Sequence, residues 1–269
     1  MRSVSVVVCT FNRKKDIVEC VESILNQDYP DFDVWVIDDA STDGTMEALR
    51  DAFSGEKRLH LIRNEVELGN TLSRNIAMRT SKGEIIASTD DDCIVAEDWL
   101  SNLVKVFDEE DDIGLVCGRV LPIFYTPVPE WLKPPIYPIL AIRTEKERTE
   151  HLSPYGCNMA VRRDVMEKVN YLNEDITRKH GTLYSGEDTD LGLRVRAAGY
   201  RVVYTPDAVV KHKMFPYRLT REHFIERALY FGMSEVMFSG KNTWGILDAA
   251  AVSYTHLRAH ETRHDLVCR

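Results

Sequence analysis

Glu84-Ile-Ile-Ala-Ser-Thr-Asp-Asp-Asp-Cys93 is the stretch on which the reading of this chain turns. Its apolar and β-branched start has the composition of a strand. The strand then breaks into three consecutive carboxylates, Asp90, Asp91 and Asp92. Ionised carboxylates are not buried without partners, and three in succession repel one another unless a cation sits among them. Oxygen ligands around Mg²⁺ or Mn²⁺, completed by substrate phosphates, are one solution. A solvated acidic turn or a helix N-terminus is the other reading the triplet allows by itself.

The flanking sequence alternates strand-like and helix-like segments. Val4–Cys9 is a continuous apolar run, the pattern of a strand buried on both faces. Residues 14–27 place Ile17, Val18, Val21, Ile24 and Leu25 on one face of a helix. Val34–Ile37 reads as a second strand ending on Asp38-Asp39, and Ser41-Thr42-Asp43-Gly44 opens a helix with Ser or Thr as its cap. Leu59–Ile62 is a third strand, 70–80 a helix and Glu84–Ser88 a fourth strand; Trp99–Phe107 is helical and Ile113–Cys117 strand-like. This order predicts an α/β domain, a mainly parallel sheet with helices on both faces. Ligands of such sheets bind beyond the carboxyl ends of the strands. Cys9-Thr10, Asp38-Asp39 and Asp90–Asp92 all fall at that edge, and this favours the cation reading.

The middle of the chain differs. Six of its ten prolines lie between Pro122 and Pro138, and a charged stretch, Arg143–Glu150, comes next. This predicts a long irregular insertion, either a lid facing an acceptor or a loose excursion. Regular structure resumes over Cys157–Val169, with Arg162–Lys168 helical. Gly186-Glu187-Asp188 precedes another helix stopped by Gly199, Val202–Tyr204 and Val209-Val210 read as strand, and 220–238 is an amphipathic helix. Residues 256, 260 and 264 are histidines on one helical face, which invites a zinc reading. That reading is set aside, because Ser253–Thr262 resembles translated sequencing-adapter read-through at the ends of assembled genes. Residues 253–269 are read as a non-native tail, with the natural C-terminus lost.

At 269 residues the chain can bury a full core, and a net charge of −9 argues against a nucleic-acid binder with a basic face. Six cysteines without C-x-x-C spacing suit a reducing compartment. No apolar run has the length of a membrane span, and the N-terminus lacks the layout of a signal peptide. A cytoplasmic location is expected, with attachment at the inner face of a membrane through missing sequence left open.

Six motifs converge in order: Val6–Arg13, Val36–Thr45, Asn64–Asn75, Thr89–Cys93, Gly156–Arg163 and Gly186–Leu191. Together they resemble the inverting nucleotide-sugar glycosyltransferases of family 2, which have the GT-A fold. The match covers about residues 3–235. The resemblance implies a nucleotide-sugar-binding half over 1–118 and an acceptor-binding, catalytic half over 119–252 of one domain. It implies that Thr10 and Asp39, with Asp38, hold the base and ribose, where a carboxylate can accept from a ring N–H or a hydroxyl. Arg74 would face the diphosphate; alone it reads as an exposed helix arginine.

The same resemblance makes Asp90-Asp91-Asp92 the D-x-D element, with Asp92 the best metal ligand for Mn²⁺ or Mg²⁺ and Asp90 binding ribose or metal-bound water. His212 matches a position where related enzymes supply a third ligand; a structural histidine is the alternative. Asp188 is the implied catalytic base, taking the acceptor hydroxyl proton as oxygen attacks from the face opposite the leaving group. Glu187 would orient the acceptor or its loop. Complementing a helix dipole is the other reading of both acids. Trp131 could stack on a sugar or pack internally. Arg227 would reach the diphosphate or stand in solvent.

The expected function is therefore divalent-metal-dependent, inverting transfer of a sugar from a nucleoside-diphosphate donor to a hydroxyl. The acceptor would be a saccharide or a lipid- or protein-linked glycan. Two alternatives are carried. A sugar nucleotidyltransferase would want a glycine-rich loop near the N-terminus, and residues 9–15 contain no glycine. A binding module without turnover would not need Asp39, Asp92 and Asp188 together.

Overall fold

The first strand, β1 (Val4–Thr10), is covered on both sides, which is why its sequence is a continuous apolar run. Val6 and Val8 join one core cluster and Val7 the other, as the strand period of two requires. A computed structural model of the chain describes residues 1–150, 153–176 and 185–239. β1 pairs in parallel with β2 (Phe32–Asp38) on one side and β4 (Ile85–Asp90) on the other, and β3 (Leu59–Arg63) extends the sheet beyond β2. The register aligns Thr10 with Asp38 and Cys9 with Asp90. Three strand ends thus deliver their polar residues to one level at the carboxyl edge.

Beyond β4 the sheet is mixed. The order is β3-β2-β1-β4-β8-β6-β9-β5, with the two-residue β7 (Thr149–Glu150) also pairing β9. β8 (Asn158–Arg162) lies antiparallel between β4 and β6 (Ile113–Phe124). β9 (Arg201–Met214) runs parallel to β6, and β5 (Cys93–Val95) pairs antiparallel with β9. Helices α1 (Lys14–Leu25), α2 (Thr45–Ala52) and α4 (Trp99–Phe107) feed one core cluster. Helices α3 (Asn70–Thr80), α5 (Arg163–Lys168) and α6 (Glu187–Ala197) feed the other. The α/β architecture with helices on both faces is as expected; the mixed second half and β5, β7 and β8 are additions.

Two sequence expectations change. β9 is one strand, not two pieces, because a register shift against β6 absorbs the interruption at Pro206. Gly118 pairs with Thr205, and the next residue, Arg119, pairs with Val209. A Cβ at Gly118 would lie 2.1 Å from the Ala208 carbonyl oxygen, so only glycine lets the strands approach here. Buried Asn158 closes the bulge: its Nδ2 donates to the Arg119 and Ala208 carbonyls at 2.8 and 2.9 Å, and its Oδ1 accepts from Trp99 Nε1 at 2.8 Å.

The proline-rich segment is also more ordered than expected. β6 continues through Pro122 to Phe124, and Pro134–Leu140 forms a short 3₁₀ helix. Leu132, Leu140 and Ile142 pack with Met214, Leu219 and Phe224 into a third cluster under α7 (Arg221–Ser239). Among the described residues no helix is long and apolar enough to cross a membrane. The tail 253–269, with its three histidines, lies outside the described residues.

Candidate functional site

The carboxyl edge opens into a cleft of about 510 Å³. Thr10, Asp39, Arg74 and all three of Asp90, Asp91 and Asp92 line one wall; Glu187, Asp188 and Arg227 line the other. His212 lies behind Asp92, with Nε2 3.3 Å from Asp92 Oδ1. Asp38 and Trp131 are not brought to the cleft. Successive side chains on a strand point to opposite sides, so Asp38 turns away from Asp39. It accepts from the Ser41 N–H at 3.1 Å and stands 3.7 Å from Arg63 Nη1. Trp131 packs edge-on against Phe224, centroids 5.1 Å apart, because the proline-rich segment folds onto the third cluster.

Asp39 shapes the loop before α3. Its Oδ1 accepts from Asn64 Nδ2 (2.8 Å), the Leu68 N–H (2.9 Å) and Ser73 Oγ (2.9 Å), and its Oδ2 from the Gly69 N–H (2.8 Å). Gly69 has φ +93, a conformation that favours glycine. A carboxylate offers about four lone-pair sites, so Oδ2 keeps acceptor capacity at the cleft. Thr10 Oγ1 donates to Asp91 Oδ2 at 2.8 Å.

The acidic triplet is matched by arginines from three distant segments. Arg74, 5% exposed, pairs with Asp90 and places Nη1 3.2 Å from Glu187 Oε1, joining the two walls. Arg13 lies 3.8 Å from Asp91 Oδ1 and 3.2 Å from Asp92 Oδ2. Arg218, in the short turn Pro216–Leu219, donates from Nη2 to Asp92 Oδ2 at 2.7 Å and brings Nη1 to 2.8 Å from His212 Nε2. Burial pushes the Asp91 carboxyl up to about 7, against the pull of Arg13. Burial acts on Asp92 in the same direction, but Arg218, His212 and Arg13 outweigh it and hold that carboxyl well below the usual range.

Sequence reasoning missed Arg13 and Arg218. Arg13 closes the first of the six motifs, where its charge drew no role; nothing local marked Arg218. The signal available was electrostatic: three adjacent acids at a buried strand end demand cations from elsewhere in the fold.

The opposite wall begins α6. Gly186 takes φ +114 and turns the chain so that Glu187 and Asp188 open the helix. Glu187 is engaged on both oxygens: Oε1 accepts from Asn70 Nδ2 and Arg74 Nη1, both at 3.2 Å, and Oε2 from the Gly186 N–H at 3.0 Å. Asp188 accepts one N–H on each oxygen, from Gly156 at 2.9 Å and Thr189 at 2.7 Å, leaving a lone pair on each. Burial, then the neighbouring Glu187, raise its carboxyl to about 7; the two N–H groups and Arg74 oppose them. A carboxyl poised near neutrality in a cleft is suited to proton abstraction.

Asp90, Asp92 and His212 each offer a ligand atom within 4.8 Å of the others. Two carboxylates and an imidazole fit a hard or borderline divalent cation. Cys93 and Cys157 lie equally close to His212 on its other side, and burial keeps the Cys93 thiol protonated.

The model of the family described as glycosyl transferase family 2 matches residues 5–169. Among curated proteins the chain is similar to a glucosyl-dolichyl phosphate glucuronosyltransferase of Haloferax volcanii, 28% identical over 239 residues, spanning 86% of this chain and 76% of that protein. Among solved structures it is similar to the mannosyltransferase PcManGT from Pyrobaculum calidifontis, in complex with GDP-Man and Mn²⁺. That likeness has a TM-score of 0.64 and 24% identity over 96% of this chain and 75% of that one. GalNAc-T7 with UDP, GalNAc and Mn²⁺ gives a TM-score of 0.65 at 18% identity, over 80% of this chain and 44% of that one. At these identities the likeness shows the fold, the GT-A architecture.

Proposed function

The chain belongs to glycosyl transferase family 2, and from that premise we propose that it moves a sugar from a nucleoside-diphosphate donor to an acceptor hydroxyl with inversion. The observation that carries this reading is one cleft lined by Asp90, Asp92 and Asp188, with His212 behind Asp92 completing a group of candidate metal ligands. Donor complexes of GDP-Man and UDP in proteins of similar fold support the nucleotide-sugar class.

In this reading Thr10 and Asp39 receive the nucleoside, Asp39 through the lone pair left on Oδ2 and through the loop it shapes. Asp38 acts from behind, holding the turn after β2. Asp90, Asp92 and His212 would hold Mn²⁺ or Mg²⁺, which when bound neutralises charge developing on the departing diphosphate. Arg74 and Arg227 face the same charge from the protein side. Asp188 takes the acceptor hydroxyl proton while its two backbone N–H donors fix its orientation. Glu187 holds Arg74 and the start of α6 in place. Family membership speaks against the nucleotidyltransferase alternative, and a poised base speaks against a module without turnover.

The test is a thermal-shift series with UDP, GDP, CDP, ADP and dTDP, each with and without Mn²⁺. One nucleotide should raise the melting temperature in a Mn²⁺-dependent way, by an amount corresponding to about 2.7 kcal/mol at a hundred times its Kd. No shift with any nucleotide would remove the donor assignment.

Asp188 also sets a pH profile. The base must be ionised to act, and its carboxyl is raised to about 7. The free enzyme's kcat/KM should fall about tenfold per pH unit below that value and level off above it. The folded state also holds this proton more tightly than the unfolded chain. Asp188 therefore lowers stability as pH rises from the ordinary carboxylate range towards 7. A flat kcat/KM profile between pH 5 and 8 would exclude Asp188 as the titrating base.

A further inference from the structure

We infer that Arg218, bridging Asp92 and His212, occupies the cation's place, so that the divalent ion enters together with the donor diphosphate rather than before it. This rests on the donor reading above. Its basis is the position of one guanidinium across two of the three candidate ligands, 2.7 Å from Asp92 Oδ2 and 2.8 Å from His212 Nε2. An arginine can only donate, so the tautomer that satisfies this contact turns the Nε2 lone pair towards Arg218. The same lone pairs cannot serve guanidinium and metal at once.

The charges point the same way. Asp90 faces Arg74, Asp91 faces Arg13, and Asp92 faces both Arg13 and Arg218. Each carboxylate of the triplet therefore already faces a guanidinium. A bare divalent ion gains little there, since it must displace Arg218 and then sit beside it. A nucleoside diphosphate changes the balance by bringing its own negative charge and oxygen ligands, and guanidinium pairs bidentately with phosphate. The displaced side chain has a short distance to travel. It belongs to a four-residue turn, Pro216–Leu219, and lines the cleft the diphosphate enters. Neighbouring Tyr217 is 48% exposed, and its hydroxyl lies 3.3 Å from Arg218 Nε and 3.4 Å from Arg13 Nη2. Both arginines therefore share one exposed anchor at the cleft mouth.

A permanent structural ion pair predicts otherwise, and Mn²⁺ binding separates the two. Free Mn²⁺ is read by electron paramagnetic resonance or calorimetry on the full chain, alone and with each of UDP, GDP, CDP, ADP and dTDP. Wild type should bind Mn²⁺ weakly alone and at least tenfold more tightly with its nucleotide. Arg218→Gln should bind Mn²⁺ alone at least tenfold more tightly than wild type, with the nucleotide enhancement reduced to match. Arg218→Lys keeps the charge but cannot span both groups, so it should also gain several-fold. A single cooperative melting transition above the assay temperature would show that both variants are folded. Unchanged or weaker Mn²⁺ binding in both, while wild type still binds nucleotide with Mn²⁺, overturns the exchange and leaves the donor reading standing. If wild type binds none of the nucleotides with Mn²⁺, the donor reading fails, and the exchange fails with it.

Discussion

Asp188→Asn is expected to lower kcat by about 10²–10⁴-fold, the range for loss of a positioned general base, while nucleotide affinity stays within a few-fold of wild type. The expectation depends on how differently the two adjacent acids are used. Glu187 has three partners, the Arg74 guanidinium among them. Asp188 has one N–H on each oxygen and a carboxyl raised to about 7 by burial and by Glu187. Asparagine retains the volume but cannot take a proton from a hydroxyl. The measurement is single-turnover transfer beside nucleotide binding with Mn²⁺. Transfer within tenfold of wild type would assign proton removal to another group.

Asp92→Ala is expected to weaken Mn²⁺-dependent nucleotide binding by a hundredfold or more. Loss of a residue that only supports a metal ligand typically costs about 10–100-fold, and a ligand should cost at least as much. The variant should also be less stable, because Arg218 loses its counter-charge; breaking a buried pair typically costs about 3–5 kcal/mol. The two effects separate when binding is measured with and without Mn²⁺ below the variant's melting temperature. Nucleotide affinity without the ion should be unchanged or improved, since Arg218 is released. A Mn²⁺ enhancement as large as in wild type would exclude Asp92 as a ligand.

The parallel half of the fold was legible because its information is local. An apolar run such as Val4–Cys9, ending on polar residues, reads as a buried strand without knowledge of its neighbours, and three such ends at one edge located the cleft. β8 and β5 were not legible, since a five-residue and a three-residue strand take their identity from the strands beside them. β9 was split at Pro206 because the bulge that accommodates the proline is made by Gly118, far away in sequence. The acids of the cleft were legible from motif and chemistry. Arg218 was not, because it meets Asp92 across 126 positions of sequence. Asp38 and Trp131 were read from the right motif and segment, but strand direction and the third cluster took their side chains elsewhere.

The antiparallel placement of β8 has a consequence for anyone recombining this chain with a relative. Gly156 sits just before β8 and presents the amide that orients Asp188, while β8 itself is laid between β4 and β6 and locked by Asn158 to Trp99. The short piece 156–162 therefore travels with the early strands as a physical module, although it lies well past the proline-rich segment. A chimera joined near residue 119 would import a foreign β8 into a sheet shaped for this one and shift the base along with it. A junction after Arg162 keeps β8 and the Gly156 amide together, but β9 would then come from the relative and would have to reproduce the bulge that faces Gly118 and Asn158.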